Sequence, residues 1–329
     1  MGILRQSDFA DIQCVGIPRA LLYHRYGTLW ETFFCELGRE VILSGETDRA
    51  LMTDGEALSV DECCLASKVY LGHAASLIDK CDALFVPSIE NLGRLKGFCT
   101  KFQALPDLIE NTLHDHQVRI VSCLVSETHE HISMKEAFLT LAGRFGASSH
   151  EAKHAWRAAS YAQERADRTA ANAQERLLAS LETIQGGERP LVILLAAHPY
   201  LSHDAYLGGS ISDSLRRMGA AVVYADQVDR DRTLKASLEF SETLPWIVNR
   251  ELIGAIMLLH ERIDGIVLVS AFPCGPDSMT NDAIMRCIQG KPILSLIIDA
   301  QSGTAGLETR VESFTDILRY QKKGGYVHA

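Results

Sequence analysis

Three of the nine cysteines in this chain lie where a thiol could bind a metal. Cys64, Cys99 and Cys274 occur in the segments DECCLASKVYLGH, GFCTKFQALPD and SAFPCGPDSM, each beside the predicted start of a helix. The unpaired N–H groups and the positive end of a helix dipole favour a thiolate there. Thiolates bind zinc and iron. Because no close Cys-x-x-Cys pair is present, such a site must be assembled from distant parts of the chain.

The other cysteines are expected to be packing residues. Cys63 and Cys64 are neighbours with diverging side chains, so we expect one of them to face a given site. The remaining cysteines fall inside predicted strands or helices or at a strand edge, where a free cysteine usually packs: Cys14, Cys35, Cys81, Cys123 and Cys287.

Lys68 and His198 are the candidate catalytic residues. Lys68 lies one turn after Cys64 on the same predicted helix, near Tyr70 and His73, and could offset the charge of a bound metal or donate to a substrate; the alternative is a solvated surface lysine. The same two interpretations apply to Lys101, which lies two residues after Cys99. His198 follows the first strand of the second half and could donate a proton, since the pKa of histidine lies near neutrality. The alternative is simple packing in its loop.

Other charged and glycine residues indicate anion contacts. Arg19, at the end of the first strand, could clamp a phosphate or carboxylate, although a structural ion pair is the preferred interpretation. Gly303 and Gly306 in SGTAG indicate a backbone anion site before a helix. The chain has no Gly-x-Gly-x-x-Gly or Walker lysine motif, so nucleotide binding is not expected.

Short β-branched runs alternate with amphipathic stretches, as in βαβ units with parallel sheets. The predicted strands are Gln13–Ile17, Glu40–Leu43, Ala83–Pro87, Val118–Leu124, Leu191–Ala196, Ala221–Tyr224, Gly265–Ser270 and Ile293–Ile298. Runs such as LVILLA, GIVLVS and ILSLII are nearly continuous in apolar residues, which is typical of strands covered on both faces. The pattern predicts two doubly wound parallel-sheet domains.

A segment of different composition separates the two halves. Residues 148–187 are rich in Ala, Glu, Arg and Gln and favour one long helix that ends at Gly186-Gly187. We therefore expect an N-terminal α/β domain at 1–147, a helical connector at 148–187 and a C-terminal α/β domain at 188–329. Two domains also suit a chain of 329 residues.

The net charge of −10 argues against a nucleic-acid partner and against docking on an anionic membrane. No run of 18 apolar residues predicts a membrane span. The first residues lack the pattern of a signal peptide, so we expect a cytoplasmic location and reduced thiols.

Several segments resemble one family. GIPRALLYHRYGTLWETFFCELGREVILS, DECCLASKVYLGH, GFCTKFQALPD, AAHPY, DGIVLVSAFPCGPDSM and IIDAQSGTAGLETRVESF occur in order between Gly16 and about Leu318. They resemble acyl-CoA dehydratase activase-related proteins, which are relatives of the 2-hydroxyacyl-CoA dehydratase subunits and of double-cubane cluster proteins.

The resemblance implies two flavodoxin-like domains and a [4Fe–4S] cluster held by three cysteines. The matching positions here are Cys64, Cys99 and Cys274. It also implies low-potential electrons from an ATP-dependent activase, a CoA-thioester or other small-molecule substrate, and an anaerobic context. A homologous subunit or a homodimer is a further expected partner.

The chain departs from the family pattern at several positions. Leu65-Ala66 and Thr100 stand where related chains tend to have proline, and Ala300 and Gln301 follow Asp299 where an acidic residue and histidine are common. Dehydratase or reductase chemistry therefore has alternatives. They are an accessory subunit with a structural cluster or none, a zinc protein with His198 as a fourth ligand, and a double-cubane [8Fe–9S] cluster.

Overall fold

The computed structural model describes residues 9–116, 118–184, 189–301 and 304–322. Gly186-Gly187 and Gly303, named above, lie outside these ranges. The chain divides into two compact units. Unit 1 comprises residues 1–45, 49–61 and 67–166, and unit 2 comprises residues 46–48, 62–66 and 167–329.

Unit 1 is a parallel α/β unit. Its strands are β1 Cys14–Ile17, β2 Glu40–Leu43, β3 Ala83–Phe85, β4 Ser88–Asn91, β5 Ile120–Val121 and β6 Leu124–Ser126. The order β2-β1-β3-β5 is parallel throughout, and β4 pairs with β6 as a second, two-stranded parallel sheet. The helices are α1 Tyr23–Glu36, α2 Arg49–Ala57, α3 Leu65–Ala75, α4 Thr100–Gln103, α5 Leu105–Thr112 and α6 Met134–Arg144.

An aromatic core fixes the helices of unit 1 on their sheet. Phe34 packs edge-on against Phe85 with ring centroids 4.9 Å apart, and Phe33 meets Phe138 at 4.8 Å. All four rings are fully buried. Edge-to-face aromatic pairs stabilise a fold by more than the burial of their surface alone, so this cluster holds α1, β3 and α6 together.

The predicted connecting helix is observed as α7, Ser149–Glu182. The division between the units falls within it, after Ala166. In unit 1, Gln163 accepts a hydrogen bond from the Leu29 backbone N–H. In unit 2, Gln174 bonds both the N–H and the carbonyl of Tyr224.

Unit 2 has one parallel sheet, in the order β10-β9-β7-β8. Its strands are β7 Val192–Ala197, β8 Ala221–Tyr224, β9 Gly265–Ala271 and β10 Ile293–Ile298. The helices are α8 Pro199–Ser202, α9 Ser210–Arg217, α10 Arg230–Phe240, α11 Ile247–Leu259, α12 Gly275–Cys287 and α13 Thr304–Lys322. Every residue of β7 and β9 is buried, as the apolar runs predict. The predicted fold class, doubly wound parallel α/β, is confirmed.

The same aspartate contact ties the sheet together in both units. Asp82, just before β3, accepts hydrogen bonds from the backbone N–H groups of Gln13 and Cys14 at 2.8 and 2.9 Å. Asp264, just before β9, accepts one from Val192 at 2.7 Å. In each unit the carboxylate thus joins the starts of two central strands, and the two units share this local design.

No described helix is both long enough and apolar enough to cross a membrane.

Candidate functional site

The strand order of unit 2 creates a topological switch point at one end of its sheet. From β7 the chain passes to β8 on one side and then to β9 on the other. The loops after β7 and β9 therefore diverge, and such switch points are where open parallel sheets bind ligands. His198 directly follows β7, and Cys274 follows β9.

Cys274 is the N-cap residue of α12, with Pro276 in the first turn. Its side chain is half-buried. Burial raises the pKa of the Cys274 thiol, and the charges of Asp277 and Cys64 add to that rise, whereas the Asp277 backbone N–H opposes it. A thiol in this setting favours the protonated form unless a metal displaces the proton.

Cys64 lies beside Cys274 within unit 2. It immediately precedes α3, and the N–H of the next residue, Leu65, donates to the Phe272 carbonyl at 2.8 Å in the loop that carries Cys274. Cys64 is half-buried, whereas Cys63 is buried. The fold therefore brings together two of the three predicted ligands.

Cys99 belongs to unit 1 and is the N-cap residue of α4, as the sequence predicted. It is half-buried. Within the described ranges, no group of three or more histidine, cysteine, aspartate or glutamate side chains is arranged to hold a metal ion. The three-cysteine ligand set therefore stays a prediction.

His198 makes a buried hydrogen bond to Asp277. His198 is the N-cap residue of α8, its Nε2 lies 2.9 Å from Asp277 Oδ1, and its ring lies 4.9 Å from the Tyr200 ring. Asn249, on α11, donates from Nδ2 to the same oxygen at 2.8 Å. The fold thus joins the loops after β7 and β9 and the buried face of α11 through one carboxylate.

Asp277 is held as an anion. Burial alone would raise the pKa of this carboxyl. The charge and hydrogen bond of His198, with smaller contributions from Asn249 and Cys274, outweigh burial and hold the pKa below its ordinary value. Only 2 % of the side-chain surface is accessible. The site therefore contains a buried negative charge that also interacts with the Cys274 thiol.

Asp277 and Asn249 were not among the site residues predicted from the sequence. A signal for Asp277 was present, because it stands at the third helical position after an N-cap cysteine, where a side chain can turn back toward the cap. Asn249 lies in the apolar stretch WIVNRELI, which carries no pattern that distinguishes it.

Lys68, His73 and Arg19 lie in unit 1, whereas Gly306 lies in unit 2 on α13. Lys68 is half-buried on α3, while His73 is fully buried and its Nδ1 lies 2.7 Å from Ser44 Oγ. Ser44 Oγ also accepts from the Arg19 backbone N–H at 2.8 Å, and the Arg19 side chain lies beside Tyr23. These contacts give His73 a structural role at the end of β2.

The packing expectation was wrong for two cysteines. Cys35 and Cys287 are exposed, because each lies on the outward face near the end of its helix, α1 or α12. Cys14, Cys81 and Cys123 are partly buried. The two exposed thiols provide matched controls for experiments on the candidate ligands.

His203 makes a pH-dependent contact in unit 2. Its Nε2 lies 2.6 Å from Asp226 Oδ2, and its ring stacks on Tyr224 at 5.2 Å. Burial alone would lower the pKa of His203, but the hydrogen bond and the charge of Asp226 outweigh it and raise the pKa above its ordinary value. Folding therefore favours the protonated ring.

We expect this contact to stabilise unit 2 at low pH. A raised folded-state pKa contributes stability that is complete below the ordinary histidine value of about 6.5 and is lost as the pH rises through the folded-state value. His203→Gln should cost about 1 kcal/mol near pH 5.5 and much less above pH 8. Urea unfolding of both proteins at the two pH values measures this, and an equal cost at both would contradict the assignment.

Comparison with protein families identifies the relationship. The family described as CoA enzyme activase uncharacterised domain (DUF2229) matches residues 14–228, well over half of the chain. The chain belongs to this family. The resemblance to the acyl-CoA dehydratase activase-related proteins is thereby confirmed, and the family region includes Cys64 and Cys99, while Cys274 lies beyond it.

Curated proteins gave no match. Among solved structures, the SBP FpvC from Pseudomonas aeruginosa in complex with Ni²⁺ has a TM-score of 0.27 and 12% identity, over 97% of this chain and 100% of that chain. A Thermotoga maritima glucosamine-6-phosphate deaminase has a TM-score of 0.23 and 10% identity, over 94% of this chain and 84% of that chain. Similarity at this level carries no argument about this protein.

Proposed function

We propose that this CoA enzyme activase-related protein binds an iron–sulfur cluster through Cys64, Cys99 and Cys274 and serves as a redox enzyme or subunit. The observation that carries the proposal is the pairing of Cys64 with Cys274 at the switch point of unit 2. Thiolates are the ligands that iron–sulfur clusters require.

Two cysteines of unit 2 support the proposal. Cys274 caps α12, and Cys64 directly precedes α3, so backbone N–H groups at both helix starts can donate to sulfur. Cys99 caps α4 in the same manner. A [4Fe–4S] cluster supplies one-electron transfer when bound, and three protein thiolates leave one iron for another ligand.

The family relationship supports the expected partners. An ATP-dependent activase is the proposed electron source, and a CoA thioester or another small molecule is the proposed substrate class. Lys68 and His198 stay proposed contacts of that substrate. His198 is the better supported, because it lies at the switch point and keeps 9 % of its side-chain surface accessible.

The test is the iron and acid-labile sulfide content of cysteine variants purified without oxygen. Cys64→Ser, Cys99→Ser and Cys274→Ser should each lose at least half of the bound iron, because each removes one of three ligands. Cys287→Ser, at the opposite end of α12, and Cys35→Ser, on α1, should match the wild type.

Equal iron in all five variants would contradict the ligand assignment. Zinc in place of iron, lost in Cys64→Ser, Cys99→Ser, Cys274→Ser and His198→Ala, would instead identify a Cys₃His zinc site. If the activity of a partner enzyme survives all three ligand substitutions, the chain acts as an accessory subunit.

A further inference from the structure

Unit 2 contains a cavity of about 350 Å³ that the proposed function does not use. Its walls are the part of α7 that belongs to unit 2, the segment between β8 and α10, the first turn of α10 and the end of α11 with the turn that follows it. It shares no lining residue with the candidate ligands or with the hydrogen bonds around Asp277. Cavities of this size are large enough to bind a small molecule.

Three arginines from separate segments line the cavity: Arg168 on α7, Arg232 on α10 and Arg262 between α11 and β9. The two acidic residues of the lining are both engaged by the protein. Glu175 lies 2.8 Å from Arg262 Nη1, and Asp229 accepts the Arg232 backbone N–H at 2.9 Å as the N-cap of α10. The lining therefore has a formal charge of +1 in a chain whose net charge is −10.

Two of the guanidinium groups are well placed for a ligand. Arg262 is held by α7, because Glu182 pairs with its Nε and Glu175 with its Nη1, and 26 % of its side-chain surface stays accessible. Little side-chain entropy is left to lose when such a group binds an anion. Arg232 is exposed, and within the residues that the structure describes its guanidinium makes no ion pair. Its charge is thus available to a ligand.

The rest of the lining includes apolar side chains. Leu178 is buried on α7, and Val228 and Leu258 are half-buried on the facing segments. A cavity that combines apolar side chains with a few charged groups binds a small organic molecule with a charged end, since the apolar part gives affinity and the charged groups fix orientation.

Arginines that approach from several directions favour a phosphate over a carboxylate. A phosphate ester offers three strong acceptor oxygens and between one and two negative charges, so several guanidinium groups can donate to it at once. A carboxylate has two oxygens in one plane and suits a single bidentate guanidinium.

We propose that this cavity is a binding site for a small organic phosphate. Its phosphate group pairs with Arg232, Arg262 and Arg168, and its organic part packs against Leu178 and Leu258. The site is separate from the candidate cysteine ligands, so the proposal stands whether or not the chain binds a metal.

The test is isothermal titration calorimetry of the full chain with phenyl phosphate, inorganic phosphate and benzoate. Phenyl phosphate should bind at least about fivefold more tightly than inorganic phosphate, because its ring reaches the apolar wall. It should also bind more tightly than benzoate, which has the ring and a carboxylate.

Arg232→Gln should weaken phenyl phosphate binding at least about tenfold, because it removes a charged donor. The cap of α10 is kept, since Asp229 bonds the backbone of this residue. Arg286→Gln, an exposed arginine of unit 2 outside the cavity, should bind like the wild type.

A second variant separates the cavity from general surface charge. Ala171→Phe on α7 keeps all three arginines but fills part of the cavity, so it should also weaken binding at least about tenfold. If Arg232→Gln does not fold, the result for Ala171→Phe decides alone.

Three results would overturn the proposal. They are wild-type protein that binds no phenyl phosphate, a folded Arg232→Gln or Ala171→Phe variant with the wild-type affinity, and benzoate bound as tightly as phenyl phosphate. None of them bears on iron binding, so the cluster proposal and this one can fail separately.

Discussion

Replacing Gly72 by alanine is expected to destabilise unit 1 by about 3 kcal/mol or more. Helices α2 and α3 approach each other through backbone contact at Gly55 and Gly72. A Cβ atom on Gly72 would overlap the Leu51 carbonyl, and one on Gly55 would overlap the Lys68 carbonyl. Backbone oxygens cannot turn aside as side chains do, so the two helices would have to separate and expose apolar surface.

Urea unfolding followed by fluorescence measures this loss, since Trp30 and Trp156 both lie in unit 1. Gly143→Ala on α6 is the matched control, because a Cβ there meets no atom within 4 Å. That variant should gain about 0.5–1 kcal/mol from the better helix propensity of alanine. If Gly72→Ala behaves like Gly143→Ala, the close helix contact is wrong.

Replacing Arg250 by alanine is expected to destabilise unit 2 by about 4 kcal/mol. Arg250 is 2 % exposed and joins α10, the following loop and α11. Its Nε donates to the Leu244 carbonyl at 2.7 Å, Nη1 to Ser237 Oγ at 2.8 Å and Nη2 to the Ser241 carbonyl at 2.9 Å. Truncation leaves these acceptors without their donor and creates a cavity.

The fluorescence of Trp246, directly before α11, reports this unfolding in urea. Arg286→Ala removes an exposed arginine of α12 that pairs with Asp282 at the surface, and it should cost no more than about 0.5 kcal/mol. Arg250→Lys should fall between the two, because one ammonium cannot reach three acceptors. Equal stability of Arg250→Ala and Arg286→Ala would contradict the role of Arg250.

The sequence predicted the central strands well because these buried strands consist almost entirely of apolar residues. Ile293–Ile298 and Ala221–Tyr224 were predicted with the observed bounds, and β7 and β9 were each displaced by one residue or less at either end. Helix α10, Arg230–Phe240, was not predicted, because DRDRTLKASLEF is mostly polar and shows no apolar stripe. Contacts with α11, including the hydrogen bond from Arg250 to Ser237, stabilise this helix in the folded protein.

Strands β4 and β6 were also missed as separate strands. Ser88–Asn91 and Leu124–Ser126 continue beyond β3 and β5 after short breaks. Ser88–Asn91 is mostly polar, and Leu124–Ser126 has only three residues, so neither marks a separate strand. The positions of Cys64, Cys99 and Cys274 beside helix starts were predictable, since glycine, proline and polar residues mark those starts. The hydrogen-bond partners of Asp277 were not predictable. His198 and Asn249 are 79 and 28 positions away from Asp277 in the sequence, so these contacts depend on the finished fold.

The most direct test of the central claim is metal analysis of the anaerobically purified wild-type chain, together with its EPR spectrum after reduction. We expect a brown protein with about four irons and about four acid-labile sulfides per chain and a cluster signal that reductant induces. A colourless protein that takes up no iron on reconstitution, or one that contains zinc alone, would contradict the account.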